Sequence, residues 1–256
     1  MRKAVAIACL SVSLLFTGCA KVSPAPNEQE VEFLKDQYWG SSRFEQGMLL
    51  GFEANALDAY RDALTYLSEK YSDRGFEISS AKINKYTTGT NTFYIKDTST
   101  KKVVKDGTCS VIVETSKNSE TITDNYWGYV IKSKYEAALL SVLKQADPRI
   151  HAVDVTFDTF LGKDEKPTVK QLIAGNFPVN VSLVVYMNDS TTKKQYKTTE
   201  SKINSYMKKH KLSGRCTLYA FSSDDDLKKA LKSGNHESAI YSDFFSNNSN
   251  FNNSVD

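Results

Sequence analysis

Leu57, Tyr60, Leu64, Leu67 and Tyr71 recur at alternating spacings of three and four. They therefore line one face of a helix predicted over about 53–73, with Gly75 placed as a helix-terminating glycine. Beyond it the period changes to two. Strand-like runs follow at Phe76 to Ile83, Thr92 to Lys96, Lys101 to Lys105 and Thr108 to Glu114, and Asp106-Gly107 has the turn chemistry of a hairpin between the last two. This stretch reads as a small antiparallel meander. A second long helix is predicted from about Thr123 to Ala146, with Tyr135, Ala138, Leu139, Val142 and Ala146 on one side and Asp147-Pro148 as its stop.

The second half alternates. His151 to Asp158 is a predicted strand with His151, Val153, Val155 and Phe157 facing one way, and a short helix at Thr168 to Ala174 ends on Gly175. Val179 to Met187 is apolar on both faces, which predicts a central strand covered on both sides. A helix over about Thr192 to Lys211 follows, with Tyr196, Thr199, Ile203, Tyr206 and His210 inward, and then a strand at Arg215 to Ser222. Ser223 and Asp226 form a capping-box-like start to a last helix, whose Asp224 and Asp225 sit at its positive end and Lys228, Lys229 and Lys232 toward its negative end. The fold class is α+β, with two small subdomains: helix, antiparallel meander and helix, then alternating strands and helices. The ends lack such periodicity. Residues 20–30 are polar with two prolines and read as a flexible spacer, and Ser246 to Asp256 is mostly Asn and Ser and reads as disordered. The implied division is 19–45 tether, 46–147 first subdomain, 148–235 second subdomain and 236–256 polar tail, with Asp147 to Arg149 as the boundary between the halves.

Residues 1–18 have the layout of an export signal: Arg2 and Lys3, the apolar run Ala4 to Phe16, then Thr17-Gly18 before Cys19. The apolar run falls short of the roughly 20 residues that a membrane-spanning helix needs. The segment Leu14 to Ala20 resembles the lipobox of bacterial lipoproteins, with Gly18-Cys19-Ala20 as its most specific part and Phe16 where that class usually has Leu. The resemblance implies cleavage before Cys19 and a diacylglyceryl group on its thiol; two acyl chains make a stable anchor where one is marginal. It places the protein on the extracytoplasmic face of the cell membrane. Ordinary signal-peptide cleavage nearby is the alternative. Over residues 50–145, the Tyr-rich helix with its "YLSEKY" segment, the strand pair and the next helix look like small exported lipoproteins of Gram-positive bacteria with no assigned activity. That likeness carries no functional residues across.

Charge then narrows the partners. The formal net charge of the 256-residue chain is +3, and loss of Arg2 and Lys3 with the signal leaves +1. The short basic runs, such as Lys208-Lys209-His210-Lys211, are scattered among acids, so no nucleic-acid face is expected. Of four cysteines, Cys9 leaves with the signal and Cys19 takes the lipid. Cys109 and Cys216 remain, each alternating with apolar neighbours and so pointing at a core. An exported location permits a disulfide between these two; the alternative is a pair of buried thiols. The three histidines, His151, His210 and His236, lie far from one another and from cysteine, so no zinc spacing exists, and His151 and Asp154 fall on opposite faces of one strand. Asp224-Asp225-Asp226 lacks the alternation of a calcium loop and fits helix capping. No nucleophile elbow, phosphate loop or dinucleotide fingerprint is present. No catalytic residue, metal site or cofactor is therefore nominated.

Aromatic residues are the unusual supply, with 14 Tyr, 13 Phe and 2 Trp. Two clusters stand out: Tyr126, Trp127 and Tyr129 at the start of the second long helix, and Tyr38 with Trp39 near the spacer. Such side chains suit binding surfaces, and they equally suit the packing of a helix onto a sheet. Three readings follow. The first is a non-enzymatic envelope lipoprotein that binds a protein or peptide and shows an exposed apolar patch. The second is a small-solute-binding lipoprotein with a deep pocket between its halves. The third is an enzyme acting on envelope polymers, with a pocket that brings perturbed titratable groups together.

Overall fold

The computed structural model describes residues 24–39, 41–84, 86, 88–99, 109–188 and 192–247. The signal segment, Cys19, the predicted strand at Lys101 to Lys105, the Asp106-Gly107 turn and residues 248–256 lie outside them. Seven helices and two four-stranded sheets are described, so the α+β assignment holds.

The first helix falls where a flexible tether was expected. α1 spans Glu28–Gln37 and starts with a full capping box, the Asn27 side chain accepting from Glu30 N while Glu30 accepts from Asn27 N. Ten residues make a marginal helix in water. What holds it is tertiary packing: Val31, Phe33 and Leu34 are buried, and Glu30 is gripped by Arg61 at 2.7 and 2.8 Å. Short α2 (Ser41–Glu45) leads to α3 (Gly51–Lys70), which carries the predicted apolar face with Leu57, Tyr60 and Leu67 buried. Four antiparallel strands follow in simple order: β1 (Phe76–Lys82), β2 (Gly89–Asp97), β3 (Ser110–Thr115) and β4 (Glu120–Asp124). β4 replaces the predicted start of the second helix at Thr123. It pairs with β3 in the register Val113↔Ile122, across a turn closed by Ser116 and Ser119. The first core, with Leu57, Phe93, Val111 and Tyr126 among its members, fills the space between α3 and this meander.

α4 spans Tyr126–Ala146. Grouped with the first half by sequence, it packs Tyr135, Leu139 and Leu143 into the second core instead, against β5 (Ile150–Phe157). A register shift between Ile150 and Ala152 turns His151 outward, so His151 is exposed rather than inward. α5 (Val169–Ala174), β6 (Val179–Asn188), α6 (Lys193–Lys209), β7 (Leu212–Phe221), α7 (Asp224–Ser233) and β8 (Tyr241–Asn247) complete the chain in the order β5-β6-β7-β8. β6 and β7 are parallel, as a helical crossover through α6 requires. β6 is central and covered on both faces, with Val181, Leu183 and Val185 in the main core and Tyr186 under α7 with Phe221, Leu227 and Ala230. Ser223 caps α7 by accepting from Asp226 N, which accounts for the acidic run in its first turn.

One further expectation is corrected, and one choice left open by the sequence is decided. Tyr241–Asn247, assigned to a disordered tail, forms edge strand β8, held by its ladder to β7 and by Asn247 Nδ2 donating to Leu212 O at 2.8 Å. Cys109 belongs to the first core and Cys216 to the second, so no disulfide joins them.

Candidate functional site

The aromatic cluster at the start of α4 is structural. Tyr126 is fully buried and Trp127 nearly so, because the first turn of α4 is wedged between the two sheets. The Tyr126 hydroxyl donates to Asp97 and accepts from Arg74 Nη1 at 2.8 Å, and Trp127 Nε1 donates to Thr159 O at 3.0 Å. Tyr129 is half-buried and stacks on Tyr126 at 5.6 Å. These three therefore do not form a binding surface. The second cluster divides: Tyr38 is half-buried edge-on to Phe52 at 5.4 Å, while Trp39 is 97% exposed.

Sequence reasoning missed the most polar point of the interior. Lys70 at the end of α3 and Asp124 at the end of β4 form an ion pair at 2.7 Å with both side chains fully buried. Lys70 Nζ also lies 3.0 Å from the Tyr66 hydroxyl, 3.0 Å from Leu161 O and 2.7 Å from Gly162 O, so acceptors outnumber its three hydrogens. The Tyr66 and Tyr71 hydroxyls reach Asp124 at 2.7 and 2.8 Å, and Leu161 exchanges backbone hydrogen bonds with Asp124. Burial pulls the Lys70 ammonium below the usual lysine value, opposed by Asp124, and pushes both tyrosines far up. Such shifts mark functional groups when they face a cleft. The Lys70 and Asp124 side chains are fully buried, and the network ties the segment after β5 to α3 and β4. Three members, Tyr66, Lys70 and Tyr71, lie in the YLSEKY segment.

One accessible feature is a groove of about 240 Å³ between α1 and β1. Its floor is apolar and aromatic: Phe33 and Tyr60 at 4.6 Å ring separation, with Leu64, Phe76 and Ile78 half-buried around them. Its rim is acidic, with Glu32 and Asp36 on α1 and Glu77 on β1 all exposed, and Gln29, Gln37, Ser79 and Ser80 add polar groups. None of the three acids stands in an ion pair among the described residues, whereas the neighbouring acids Glu45, Glu53 and Glu30 are taken by Lys35, Arg43 and Arg61. β1 is an outer strand. Among the described residues nothing pairs with its far edge, and its ladder to β2 shifts register between Ile78 and Ser80. A strand edge beside an apolar trough with acids on the rim suits an extended, cationic and apolar chain. Only the position of α1 makes the trough, and that position depends on the hydrogen bonds of Arg61 to Glu30, which hold the Glu30 carboxyl below the usual carboxylate range.

Among the described residues, no group of three His, Cys, Asp or Glu side chains is arranged to hold a metal ion, and no helix is long and apolar enough to cross a membrane. The histidines are dispersed: His210 stacks on Tyr206 at 4.2 Å and His236 on Tyr219 at 4.1 Å.

No protein-family model matches the chain, and no curated protein matches it. Among solved structures it is similar to a DUF5037 family protein from Ruminococcus gnavus ATCC 29149, at 16% identity and a TM-score of 0.34, over 72% of this chain and 88% of that one. An overlap of that size carries no argument about function.

Proposed function

We propose that the protein is a membrane-anchored extracytoplasmic lipoprotein, held by a diacylglyceryl group on Cys19, whose first subdomain acts as a non-enzymatic peptide-binding module of the cell envelope. The groove between α1 and β1 carries this reading: an apolar floor and, among the described residues, a strand edge without a partner and three rim acids outside any ion pair. The other two readings find less support. A solute cleft between the halves would have to open where the Lys70–Asp124 network is packed, and the buried Lys70 and Asp124 side chains are not accessible to a substrate.

The test is fluorescence anisotropy on the Cys19→Ala chain without its signal segment, using labelled decapeptides that alternate Val with Lys or Val with Glu. The Lys peptide is expected to bind and the Glu peptide not. An exposed ion pair contributes on the order of 0.5 kcal/mol, so reversing two rim charges in Glu32→Lys/Asp36→Lys turns attraction into repulsion, about 2 kcal/mol in all, and weakens binding about thirtyfold. Equal binding of both peptides, or no change in the variant, sinks the groove reading. The anchor is tested separately: Cys19→Ala in cells should move the protein from the membrane to the soluble fraction, and unchanged membrane association rules out lipid at Cys19.

A further inference from the structure

Four large apolar side chains crowd one short stretch of surface. Trp39 is 97% exposed, Met48 57%, Leu50 51% and Phe52 36%, all within the connection from α1 through α2 to the start of α3. The other exposed apolar side chains, Tyr86, Val130, Leu231, Ile240 and Phe244, are spread over the rest of the chain. The patch is built, not frayed. Arg43 Nη1 donates to Met48 O at 3.1 Å, and its Nη2 lies 3.5 Å from Trp39 O. The same guanidinium binds Glu53 at 2.5 and 2.6 Å, and Glu53 also accepts from Leu50 N at 2.7 Å. One buried carboxylate, directly and through Arg43, thus ties down the backbone from which Trp39, Met48 and Leu50 project. The Arg43–Glu53 and Lys35–Glu45 pairs neutralise four of the charges that flank it.

The chain's own course says what meets this patch. Pro24 is the first described residue, and Ala25 and Pro26 lie against the turn that precedes Met48: a Cβ placed on Gly47 would meet Pro26 Cδ at 3.7 Å and Ala25 Cβ at 3.8 Å. Pro24 comes five positions after Cys19, a span of at most about 18 Å when fully extended. A lipid on Cys19 therefore holds Met48 and its neighbours within reach of the headgroup layer.

We propose that the Trp39–Met48–Leu50–Phe52 patch seats on the bilayer surface as a second contact beside the lipid on Cys19, and so orients the folded part of the protein on the membrane. The proposal rests on the anchored-lipoprotein reading. Trp is the side chain most at home at the boundary between headgroups and acyl chains, and Met, Leu and Phe add apolar area without any charge to desolvate. A patch of this kind is weak alone and sufficient beside an anchor, because the tether already supplies a high local concentration of bilayer.

The test uses the chain from Cys19 onward, coupled through that thiol to a maleimide lipid in vesicles of phosphatidylglycerol and phosphatidylethanolamine with brominated acyl chains. Trp39 and Trp127 are the only tryptophans, and Trp127 is buried in the core. Bromine quenching and a shift of emission to shorter wavelength therefore report Trp39, and both are expected in the wild type and absent in Trp39→Phe. Trp39 left unquenched on vesicles that carry the coupled protein overturns the proposal. So does the same emission shift without lipid alongside a dimer in sedimentation, which would assign the patch to a second copy of this chain. Because the lipid is supplied chemically, failure of cellular lipidation at Cys19, read from the mass of the N-terminal peptide, is a separate result.

Discussion

Replacing Lys70 by Met should destabilise the protein by about 3–5 kcal/mol, the cost of removing one partner from a buried ion pair. Met is close in length and apolar, so packing is nearly kept and the loss isolates the ammonium. What remains is the Asp124 carboxylate in a fully buried site, while Leu161 O and Gly162 O each lose one of their donors. The comparison is provided by the protein itself. Lys163 and Glu69 join the same two segments by an ion pair of 2.5 Å whose side chains are 50% and 51% exposed, and an exposed pair contributes about 0–1 kcal/mol. Urea unfolding followed by circular dichroism should show Lys70→Met losing several times what Lys163→Met loses. For a chain of this size that corresponds to roughly 10 °C in melting temperature. A loss in Lys70→Met no larger than in Lys163→Met would show that the buried network does not hold the segment after β5 to α3 and β4.

Two further outcomes follow from the structure. Asp147 is buried; burial acts to raise its carboxyl, but Arg149 and Thr199 outweigh this through hydrogen bonds and hold it at about 2. A folded value below the unfolded one means stability that is present above pH 4 and lost as pH falls toward 2, about 2 kcal/mol from this group; since Glu30, Glu53 and Asp97 are also held low, the check is the difference in acid unfolding between wild type and Asp147→Asn, whose curve should be flatter by that amount, and identical curves refute it. Gly128 sits in α4, where alanine would ordinarily gain about 1 kcal/mol of helix propensity, yet its Cβ would fall 2.6 Å from Phe157 Cβ on β5; overpacking of about 1–3 kcal/mol should win, so Gly128→Ala melts lower than wild type, and a higher melting temperature contradicts this close helix–sheet contact.

Long periodic elements were legible in the chain because one physical pattern dominates each. The stripe Leu57, Tyr60, Leu64, Leu67 is α3, and the doubly apolar run Val179 to Met187 is the central strand β6. Elements stabilised by tertiary contact were not. α1 shows few apolar residues and two prolines before it, and its local signal, the Asn27–Glu30 capping box, is only convincing once Arg61 is seen to engage Glu30. β8 hides its alternation because two inward positions, Asp243 and Asn247, are polar and are satisfied by Lys197 and by Leu212 O. Aromatics at a helix start look alike whether they face solvent or core. Tyr126 and Trp127 pack inward because β4, itself unanticipated, delivers α4 between the sheets. The rim acids of the groove were invisible for the same reason: only the fold of α1 brings Glu32 and Asp36 opposite Glu77.

α1 connects the two surfaces proposed to act. Its ten residues span about 15 Å at 1.5 Å per residue. One of its faces supplies the groove rim through Glu32 and Asp36, and Trp39 lies just past its last turn. If the Trp39 patch rests on the bilayer, the groove opens no farther than about one short helix above the lipid. A chain tethered in the same membrane then meets the groove at high effective concentration, so even a weak trough can be well occupied, whereas a freely diffusing peptide of the same sequence meets it rarely. The acidic rim sharpens that preference: anionic headgroups concentrate cationic segments at the surface, and Glu32, Asp36 and Glu77 offer such segments a place to dock. The proposed lipid, patch and groove together favour one class of ligand, a basic and apolar stretch of chain lying close to the membrane.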